Sequence, residues 1–536
     1  MIVILISWVV IFYMISITGI IAKESLNLSN NKAFILLYGI IFQTLFIASF
    51  AFFYKIGTVF FIINALIITF LSFAIKEKIK LFFNSLLESF DSKSKVIFFV
   101  FIIITALKSA QSPSIFDNET YYIQTIKWLN EYGYVKGIAN VHPFLAQCSF
   151  WHVFQSGFNF SFITNSLNDV NGLMLIIGFY YFLERNSIQP NLFYIVNGLF
   201  LVIYTQFIDA PSPDLPILVF LSILFNEFIF NPLNTQNRRS LILFLLFSVF
   251  IKLTVVPILL LLFYLVEKNR KAIVFCIYLS LTFGVVWIIK NIIITGYPLF
   301  PLSLFDFNFD WKLPIETMDY MYKNINNLGY AENATLSKNY SLFQKLNFWI
   351  HLKGINGFFN IGILFLFIIT PFTKLFKSNF KFKILYCILL IHFVFLLLNS
   401  PQYRFFLATY IFFGSLIIYE ILSYIKYTNK TNIVISGLIL MAGCLLFDVK
   451  NINNNSIFNF SQIITPASNS KYKKVKFEEK KIGNFLFYDP KLPNLYETSN
   501  GNLPCVNEKL FDFYSFYPQL RTSSIKDGFY SKKIEK

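Results

Sequence analysis

The sequence is poor in charge, since only 14% of its 536 residues are Asp, Glu, Lys or Arg, against roughly 25% in an ordinary soluble domain. This low charge excludes a water-soluble enzyme. There is also no Gly-rich phosphate loop, no His-Glu-x-x-His motif and no usable Ser/His/Asp order, so nucleotide chemistry is unsupported. Intrinsic disorder is excluded because the chain has 69 Phe and 30 Tyr residues.

Cysteine is scarce too, and the five cysteines show no metal-ligand spacing. Three of them lie inside apolar runs, which leaves Cys148 and Cys505 as the one pair that could form a disulfide on the outer face.

The first 21 residues are apolar but lack a basic start and a small-residue cleavage site. We therefore expect a retained membrane span there rather than a signal peptide.

What the chain has instead is apolar sequence: 56% of its residues are hydrophobic, 20% are aromatic, and the mean hydropathy is +0.61. Long apolar stretches recur from residue 1 to residue 447. Unalternated runs of this length indicate helices, because only helices or closed barrels satisfy the backbone in hydrocarbon. The sequence thus predicts an all-α polytopic membrane protein with about 12–14 transmembrane helices.

Positive charge is distributed unevenly along the chain, whose net charge is +17. Five lysines lie between Lys76 and Lys95, so this connection is predicted to be cytoplasmic. Alternating spans place further basic clusters on the same side, namely Arg185, Arg238 with Arg239, the run Lys374 to Lys383, and Lys426 with Lys430. The charge therefore indicates membrane orientation, and no nucleic-acid partner is expected.

One apolar stretch, 240–266, conflicts with that alternation, because a single crossing would put Lys268, Arg270 and Lys271 on the outer side. A break between Lys252 and Pro257 removes the conflict, since proline interrupts a helix. We expect two half-helices that enter the membrane and return. Broken helices at membrane depth are tolerated where they line a cavity.

The predicted organisation has three parts. Residues 1–95 form a three-helix membrane extension, and residues 96–447 form a transmembrane core with outer loops at 111–167 and 296–354. Residues 448–536 form a small extracytoplasmic α+β domain, because this tail mixes Tyr and Phe with many charged residues. Most of the polar sequence is thus predicted to lie on the extracytoplasmic side of the membrane.

Two acids, Asp117 and Glu119, stand where the first outer loop leaves the bilayer, and they are the candidate catalytic residues. Residues 118–132 have helical spacing and predict an amphipathic helix along the interface. Such a carboxylate can act as a general base on a hydroxyl, and a second acid can orient the acceptor or hold a divalent cation such as Mg²⁺ or Mn²⁺. The alternative is that Asp117 only caps the helix.

Other polar groups of the outer side are candidate substrate-binding residues: Asp209, Asp214, Lys252, Lys290, Arg404 and His142. Buried cations are costly in a membrane unless they are paired or line a watery cavity. Together the cations suit a phosphate-bearing ligand. Alternatives remain, since the two aspartates fit turn chemistry, and Lys290 and Arg404 could reach the interface as long flexible side chains. His152 is expected only to bond locally.

Several motifs in this order carry a family resemblance: FDNETYYIQTIKWL, GIANVHPFLAQCSFWH, DAPSPDLP, IKLTVVP, KNIIITGYPLFP, NSPQYRF, and LPC followed by IKDGF. With them the chain resembles a family of bacterial multipass membrane proteins without an assigned function, which is similar in layout to the GT-C glycosyltransferases. Two features depart from the GT-C layout: three spans precede the acidic loop where the simplest layout has one, and Tyr122 stands where a His is expected.

The resemblance implies a glycosyltransferase of the bacterial cytoplasmic membrane that takes a sugar from a polyprenyl-phosphate carrier on the outer face. Asp117, with Glu119, would be the acidic motif, and Asp209 to Asp214 a second one. The acceptor would be a hydroxyl of a glycan, lipid or protein. The alternatives are a polysaccharide polymerase or ligase, and a transporter of lipid-linked oligosaccharide.

Overall fold

A computed structural model describes residues 1–164, 167, 170–330, 340–427, 429–447, 457–472 and 474–534. In these residues, helices occupy most of the chain up to residue 446, and four short strands follow. The α-helices are α1 (Ile2–Leu26), α2 (Lys32–Ala51), α3 (Thr58–Ala74), α4 (Lys76–Ser85), α5 (Ser92–Ser109), α6 (Ile123–Glu131), α7 (Phe150–Phe158), α8 (Val170–Ile188), α9 (Leu192–Val196), α10 (Leu201–Tyr204), α11 (Asp214–Phe230), α12 (Thr235–Ile251), α13 (Leu261–Val266), α14 (Arg270–Thr295), α15 (Ile315–Tyr330), α16 (Leu342–Ile350), α17 (Gly354–Ile369), α18 (Lys374–Ser378), α19 (Phe380–Asn399), α20 (Tyr403–Tyr424), α21 (Lys430–Leu446) and α22 (Lys509–Tyr514).

In the described part of the chain, six helical segments are long and apolar enough to cross a membrane: α1, α2, α14, the segment Gly354–Phe372, α19 and α20. Helices α3 and α4 add a seventh if this pair, bent by 90°, is one span. The chain is thus mostly helical and compatible with a multipass membrane protein, but the predicted 12–14 spans are too many by this measure. The other apolar stretches form helices that are not both long and apolar enough by this measure: α5 and α8 have 18 and 19 residues. Helices α11 and α12 have 17 residues each, which is about 25 Å of helix.

The predicted break in stretch 240–266 is confirmed. Helix α12 ends at Ile251, Lys252 has an extended backbone (φ −151°, ψ 121°), and a 3₁₀ helix containing Pro257 follows. A guanidinium nitrogen of Arg238, Nη1, donates to the carbonyl oxygen of Leu265 at 2.6 Å. The two ends of the stretch therefore lie side by side, and Lys252 is the tip of a hairpin.

Basic residues from distant parts of the chain gather at the open end of this hairpin, which we call the basic end. Arg239 donates to the Leu26 carbonyl at 2.8 Å, Lys381 donates to the Asn231 carbonyl at 3.1 Å, and Arg185 pairs with Glu227 at 2.5 Å. These contacts bring basic residues of separate segments to one end of the helix bundle.

The first helices are packed into the bundle. Asn31 Nδ2 donates to Glu184 Oε2 at 2.7 Å, and the Tyr38 hydroxyl lies 2.5 Å from Ser240 Oγ. Residues 1–95 therefore share the core of the later helices.

A small α+β region follows the helices, as predicted. Strand β1 (Phe477–Ile482) pairs antiparallel with β2 (Phe485–Pro490), and β3 (Phe516–Leu520) pairs antiparallel with β4 (Phe529–Lys533). Buried phenylalanines of the strands and of α22 form its core: Phe485, Phe487, Phe511 and Phe529. The hairpin tip lies away from the basic end, because most of α12 separates Arg238 from Lys252.

Two local expectations are corrected. Residues 118–132 do not lie on a surface: the π-helix Asn118–Tyr122 and α6 are buried on most sides, because α7 and the C-terminal region cover them. The one disulfide that the sequence allowed is absent, since Cys148 and Cys505 are both free and buried. Each sulfur lies in its own packed surroundings; the Cys505 thiol donates to the Thr498 carbonyl at 3.4 Å.

Candidate functional site

Four charged side chains from distant segments meet at the hairpin tip: Asp117, Asp214, Lys252 and Arg404. Arg404 Nη1 lies 2.6 Å from Asp117 Oδ2 and 3.6 Å from Asp214 Oδ2. The Lys252 ammonium pairs with the other oxygen of Asp214, Oδ1. We call these four residues the charge cluster. Two acids balance two bases, and Arg404 links the two acids.

The local structure explains how each charge is held. Asp214 is the first residue of α11, where the helix dipole favours a carboxylate, and the Ser212 hydroxyl donates to it at 3.3 Å. Lys252 stands in the extended break of the hairpin. Arg404 is in the first turn of α20, a position where the dipole disfavours a cation. The neighbouring acids offset that cost, and Arg404 Nε donates to Gln402 Oε1 at 2.9 Å.

Aromatic groups complete the surroundings of the cluster. The ring of Phe405 lies 4.2 Å from Lys252 Nζ and 5.2 Å from the Arg404 guanidinium carbon, which are cation–π distances. The Tyr122 hydroxyl donates to Asp117 Oδ2 at 3.4 Å. Burial raises the pKa of Tyr122, with the charges of nearby Tyr121 and Asp117 adding to the effect, so this hydroxyl keeps its proton.

The cluster is open on one side. The side chains of Asp117 and Arg404 are 20% and 23% exposed, whereas Asp214 is 2% exposed. A ligand can therefore approach the Asp117–Arg404 pair. An anion that binds Arg404 and Lys252 would compete with the two carboxylates and would release Asp117 to accept a proton.

Asp209 lies outside the cluster, contrary to expectation. Its Oδ2 pairs with Lys108 Nζ at 2.7 Å, and both side chains are fully buried. Lys108 also donates to Gln111 Oε1 at 3.0 Å. This pair fixes the turn Asp209–Asp214, from which Asp214 reaches the cluster.

Lys290 also lies apart from the charge cluster. Its ammonium donates to the Cys148 carbonyl at 2.7 Å and faces the Phe150 ring at 4.9 Å. No ion pair within the described ranges includes Lys290. Its charge still reaches His152, because Lys290 and Lys252 add to the effect of burial and lower the pKa of that imidazole to about 3.

Glu119 is two residues from Asp117 but faces the C-terminal region. Its carboxylate accepts hydrogen bonds from Ser470 Oγ at 2.8 Å, Lys471 N at 2.9 Å and Asn118 Nδ2 at 3.1 Å. Burial raises the pKa of Glu119 above its usual range. The side chain is fully buried, so the expected pairing of Glu119 with Asp117 at one ligand site is not found.

His142 has a similar local role. Its Nδ1 accepts from the Phe144 N–H at 3.2 Å, and its Nε2 lies 3.1 Å from the Tyr496 carbonyl. Burial lowers the pKa of His142 to about 4, so the ring is neutral and Nε2 donates. The expected substrate contact is replaced by a bond to the C-terminal region.

We find no ligand set that fits a divalent cation in the part of the chain that the structure describes. Among residues that the structure describes, no group of three or more His, Cys, Asp or Glu side chains could hold a metal ion. In the cluster, Asp117 and Asp214 already face Arg404 and Lys252. No step of the proposed chemistry therefore uses Mg²⁺ or Mn²⁺.

Sequence reasoning missed Lys108 and the roles of Tyr122 and Phe405. For Lys108 a signal exists: it is a single cation at the end of the apolar run of α5, the same signal that identified Lys252. Tyr122 and Phe405 carry no comparable signal in a chain with 30 Tyr and 69 Phe residues.

Residues 1–412 match the model of a protein family described as a domain of unknown function, DUF8201. The match covers well over half of the chain, so the chain belongs to this family. All four cluster residues lie within the matched part, whereas residues 457–534 lie beyond it. No curated protein and no solved structure matches the chain.

Proposed function

We propose that this DUF8201 protein is a glycosyltransferase of the bacterial cytoplasmic membrane, similar to the GT-C enzymes, which uses a polyprenyl-phosphate-linked sugar. The observation that carries the proposal is the charge cluster. Four separate segments bring two acids and two bases to one partly open place at the end of a helix bundle. Such a cluster suits a phosphate and a hydroxyl group together.

The two cations would bind the phosphate. Arg404 has a guanidinium that can form two parallel hydrogen bonds to phosphate oxygens. Lys252 has a compact ammonium charge and stands in the extended segment between two helices. Both cations are already paired with carboxylates, which limits the cost of holding them in a partly buried site. A phosphate would take over part of these contacts.

Asp117 would then act as the general base. In the proposed step the acceptor oxygen attacks the anomeric carbon of the sugar, and the carbon–oxygen bond to the phosphate breaks. The polyprenyl phosphate leaves with the bonding electron pair, stabilised by Arg404 and Lys252, while Asp117 takes the acceptor proton.

The orientation of the protein belongs to the same proposal. The basic end would face the cytoplasm by the positive-inside rule. The charge cluster and the C-terminal region would then face outward, where a lipid-linked sugar could reach the cluster from the outer leaflet. Acceptors of this reaction would be glycans, lipids or proteins at the cell surface.

A transporter of lipid-linked oligosaccharide is the second candidate. The extended break at Lys252 favours it, because interrupted helices often form transport sites. The polar residues at the same place would then bind the headgroup during its passage, with no bond broken.

The test uses the purified full chain in proteoliposomes with a radiolabelled polyprenyl-phosphate hexose and a mixed fraction of cell-surface glycans and glycolipids. We expect Asp117→Asn to slow release of polyprenyl phosphate by about 100-fold or more, because the base is lost while the side-chain shape is kept. Asp306→Asn is the matched control, since Asp306 pairs with Lys312 in an exposed loop.

Equal release by wild type and Asp117→Asn would contradict the enzyme. If labelled lipid instead moves between leaflets with no release of polyprenyl phosphate, the transporter is favoured.

A further inference from the structure

The C-terminal region touches the segment that carries Asp117 through many polar contacts. The main-chain carbonyl of Glu119 accepts hydrogen bonds from Thr498 N at 2.8 Å and Ser499 N at 3.0 Å, and its carboxylate binds Ser470 and Lys471. We call residues 467–472 and 496–501 the clamp. Both the main chain and the side chain of Glu119 are held by it.

The clamp also holds the residues on either side of Glu119. Asn118 Nδ2 donates to the Asn469 carbonyl at 2.9 Å. One helical turn later, Gln124 Nε2 donates to the carbonyls of Ser499 and Gly501 at 3.2 and 3.1 Å. Lys127 Nζ donates to Gly501 at 2.7 Å. The contacts thus run continuously along the π-helix and α6.

The π-helix is the reason why such support matters. Its turns are wider than those of an α-helix, and π-helices occur mostly as single turns, frequently at functional sites. Here it places Asp117 at its start beside Arg404, and Tyr122 at its end within hydrogen-bonding distance of Asp117. A small change in this turn would move the Asp117 carboxylate relative to Arg404.

We infer that Glu119 is a positioning residue, and that the clamp completes the site by fixing the π-helix that carries Asp117. This inference rests on the proposed function for its catalytic consequence, although the contacts themselves do not depend on it. Asp117, Asp214, Lys252 and Arg404 lie in the part matched by the family, whereas the clamp lies beyond it. The chain therefore supports its site with a region that the family model does not include.

The C-terminal region also lies close to the loop that follows α6. The Phe529 N–H donates to the Lys136 carbonyl at 2.9 Å. Gly528 has φ +95°, and a Cβ there would lie 2.2 Å from that carbonyl oxygen. Glycine is required at this place, so the C-terminal region is fitted to the loop that follows α6.

The test compares Glu119→Ala with Glu119→Gln in the full chain. A glutamine can still accept from Lys471 N and donate to Ser470 Oγ, whereas alanine removes both contacts and leaves buried donors without partners. We expect the alanine variant to speed amide exchange in residues 117–124 by roughly tenfold to a hundredfold, and the glutamine variant by less than about threefold.

Kinetics supply the second measurement, with the polyprenyl-phosphate hexose as donor. We expect Glu119→Ala to lower kcat by roughly tenfold to a hundredfold with KM nearly unchanged, because Arg404 and Lys252 still bind the phosphate. Glu119→Gln should restore most of the rate. Glu508→Ala is the control, since Glu508 pairs with Lys480 on an exposed face of the same region.

The outcomes separate this inference from the proposed function. If Glu119→Gln is as inactive as Glu119→Ala, the charge itself is needed and the positioning role is wrong. Unchanged exchange in Glu119→Ala also overturns it. If the wild type transfers no sugar, the proposed function fails, while the exchange data still decide on the clamp. Should Glu119→Ala not fold, Thr498→Val provides the same exchange test, because it removes the hydroxyl donor to the Glu119 carbonyl at 3.1 Å.

Discussion

The two aspartates of the turn Asp209–Asp214 form two different kinds of ion pair. Asp209 and Lys108 are both 0% exposed and pair with each other, and Lys108 also donates to Gln111. Asp214 pairs with Lys252, which is 18% exposed, and shares Arg404 with Asp117. The first pair has no route to a ligand, whereas the second belongs to a network that an anion can enter. Partner number and access, rather than residue type, separate a structural ion pair from a candidate binding site.

The same difference governs stability. Removing one partner of a dry pair leaves a buried charge without compensation, which costs about 3–5 kcal/mol. In the charge cluster, Arg404 still faces the Asp214 carboxylate when Lys252 is removed. The comparison can therefore be tested by removing one lysine at a time.

The largest effect is expected for Lys108→Ala. The variant should lose about 3–5 kcal/mol of stability, because the buried Asp209 carboxyl would lose its cationic partner. Thermal unfolding of the purified protein in detergent measures the loss. The double variant Lys108→Met with Asp209→Leu should recover most of it, since an apolar pair of similar size needs no compensation. A single variant as stable as wild type would show that water reaches this pair.

Acid pH lowers the stability of the protein through His142. This contribution has to be known before the stabilities of the two lysine variants are compared at different pH. The pKa of His142 is lowered to about 4, below its unfolded value, so its contribution is present above pH 6.5 and is lost as the pH falls. At pH 5 we expect the protein to be less stable than at pH 7 by roughly 2 kcal/mol from this group.

His142→Asn should reduce this pH dependence, because asparagine can still accept from the Phe144 N–H but does not titrate. Unfolding temperatures of both proteins between pH 7 and pH 5 give the comparison. Parallel curves would assign the acid sensitivity to other groups.

The sequence predicted the parts of this arrangement that depend on local pattern or on charge cost. The break at Lys252 followed from a conflict in charge placement, and the structure brings Asp117, Asp214, Lys252 and Arg404 together. Their catalytic role stays a prediction. The predicted 12–14 spans exceed the six or seven that length and hydropathy support in the described residues, because the sequence alone does not fix how long each helix within an apolar run will be.

The sequence did not predict hydrogen bonds between residues that are distant in the chain. Glu119 binds Ser470, and His142 binds Tyr496, each more than 350 residues away in sequence. No local spacing signals such contacts. In the same way, the short turn Asp209–Asp214 suggested one acidic site, whereas its two carboxylates pair with cations from different segments.

The smallest effect is expected for Lys252→Met. Arg404 lies 3.6 Å from Asp214 and continues to compensate it, so the loss should be about 1–2 kcal/mol, well below that of Lys108→Ala. Methionine keeps the apolar contact with the Phe405 ring but not the charge. The same detergent unfolding measurement applies, with polyprenyl phosphate binding as a second readout. We expect weaker binding of polyprenyl phosphate and no change for polyprenol, because only the phosphate needs the cation. If both lysine variants lose equal stability, the network shares no charge and the distinction between the two aspartates fails.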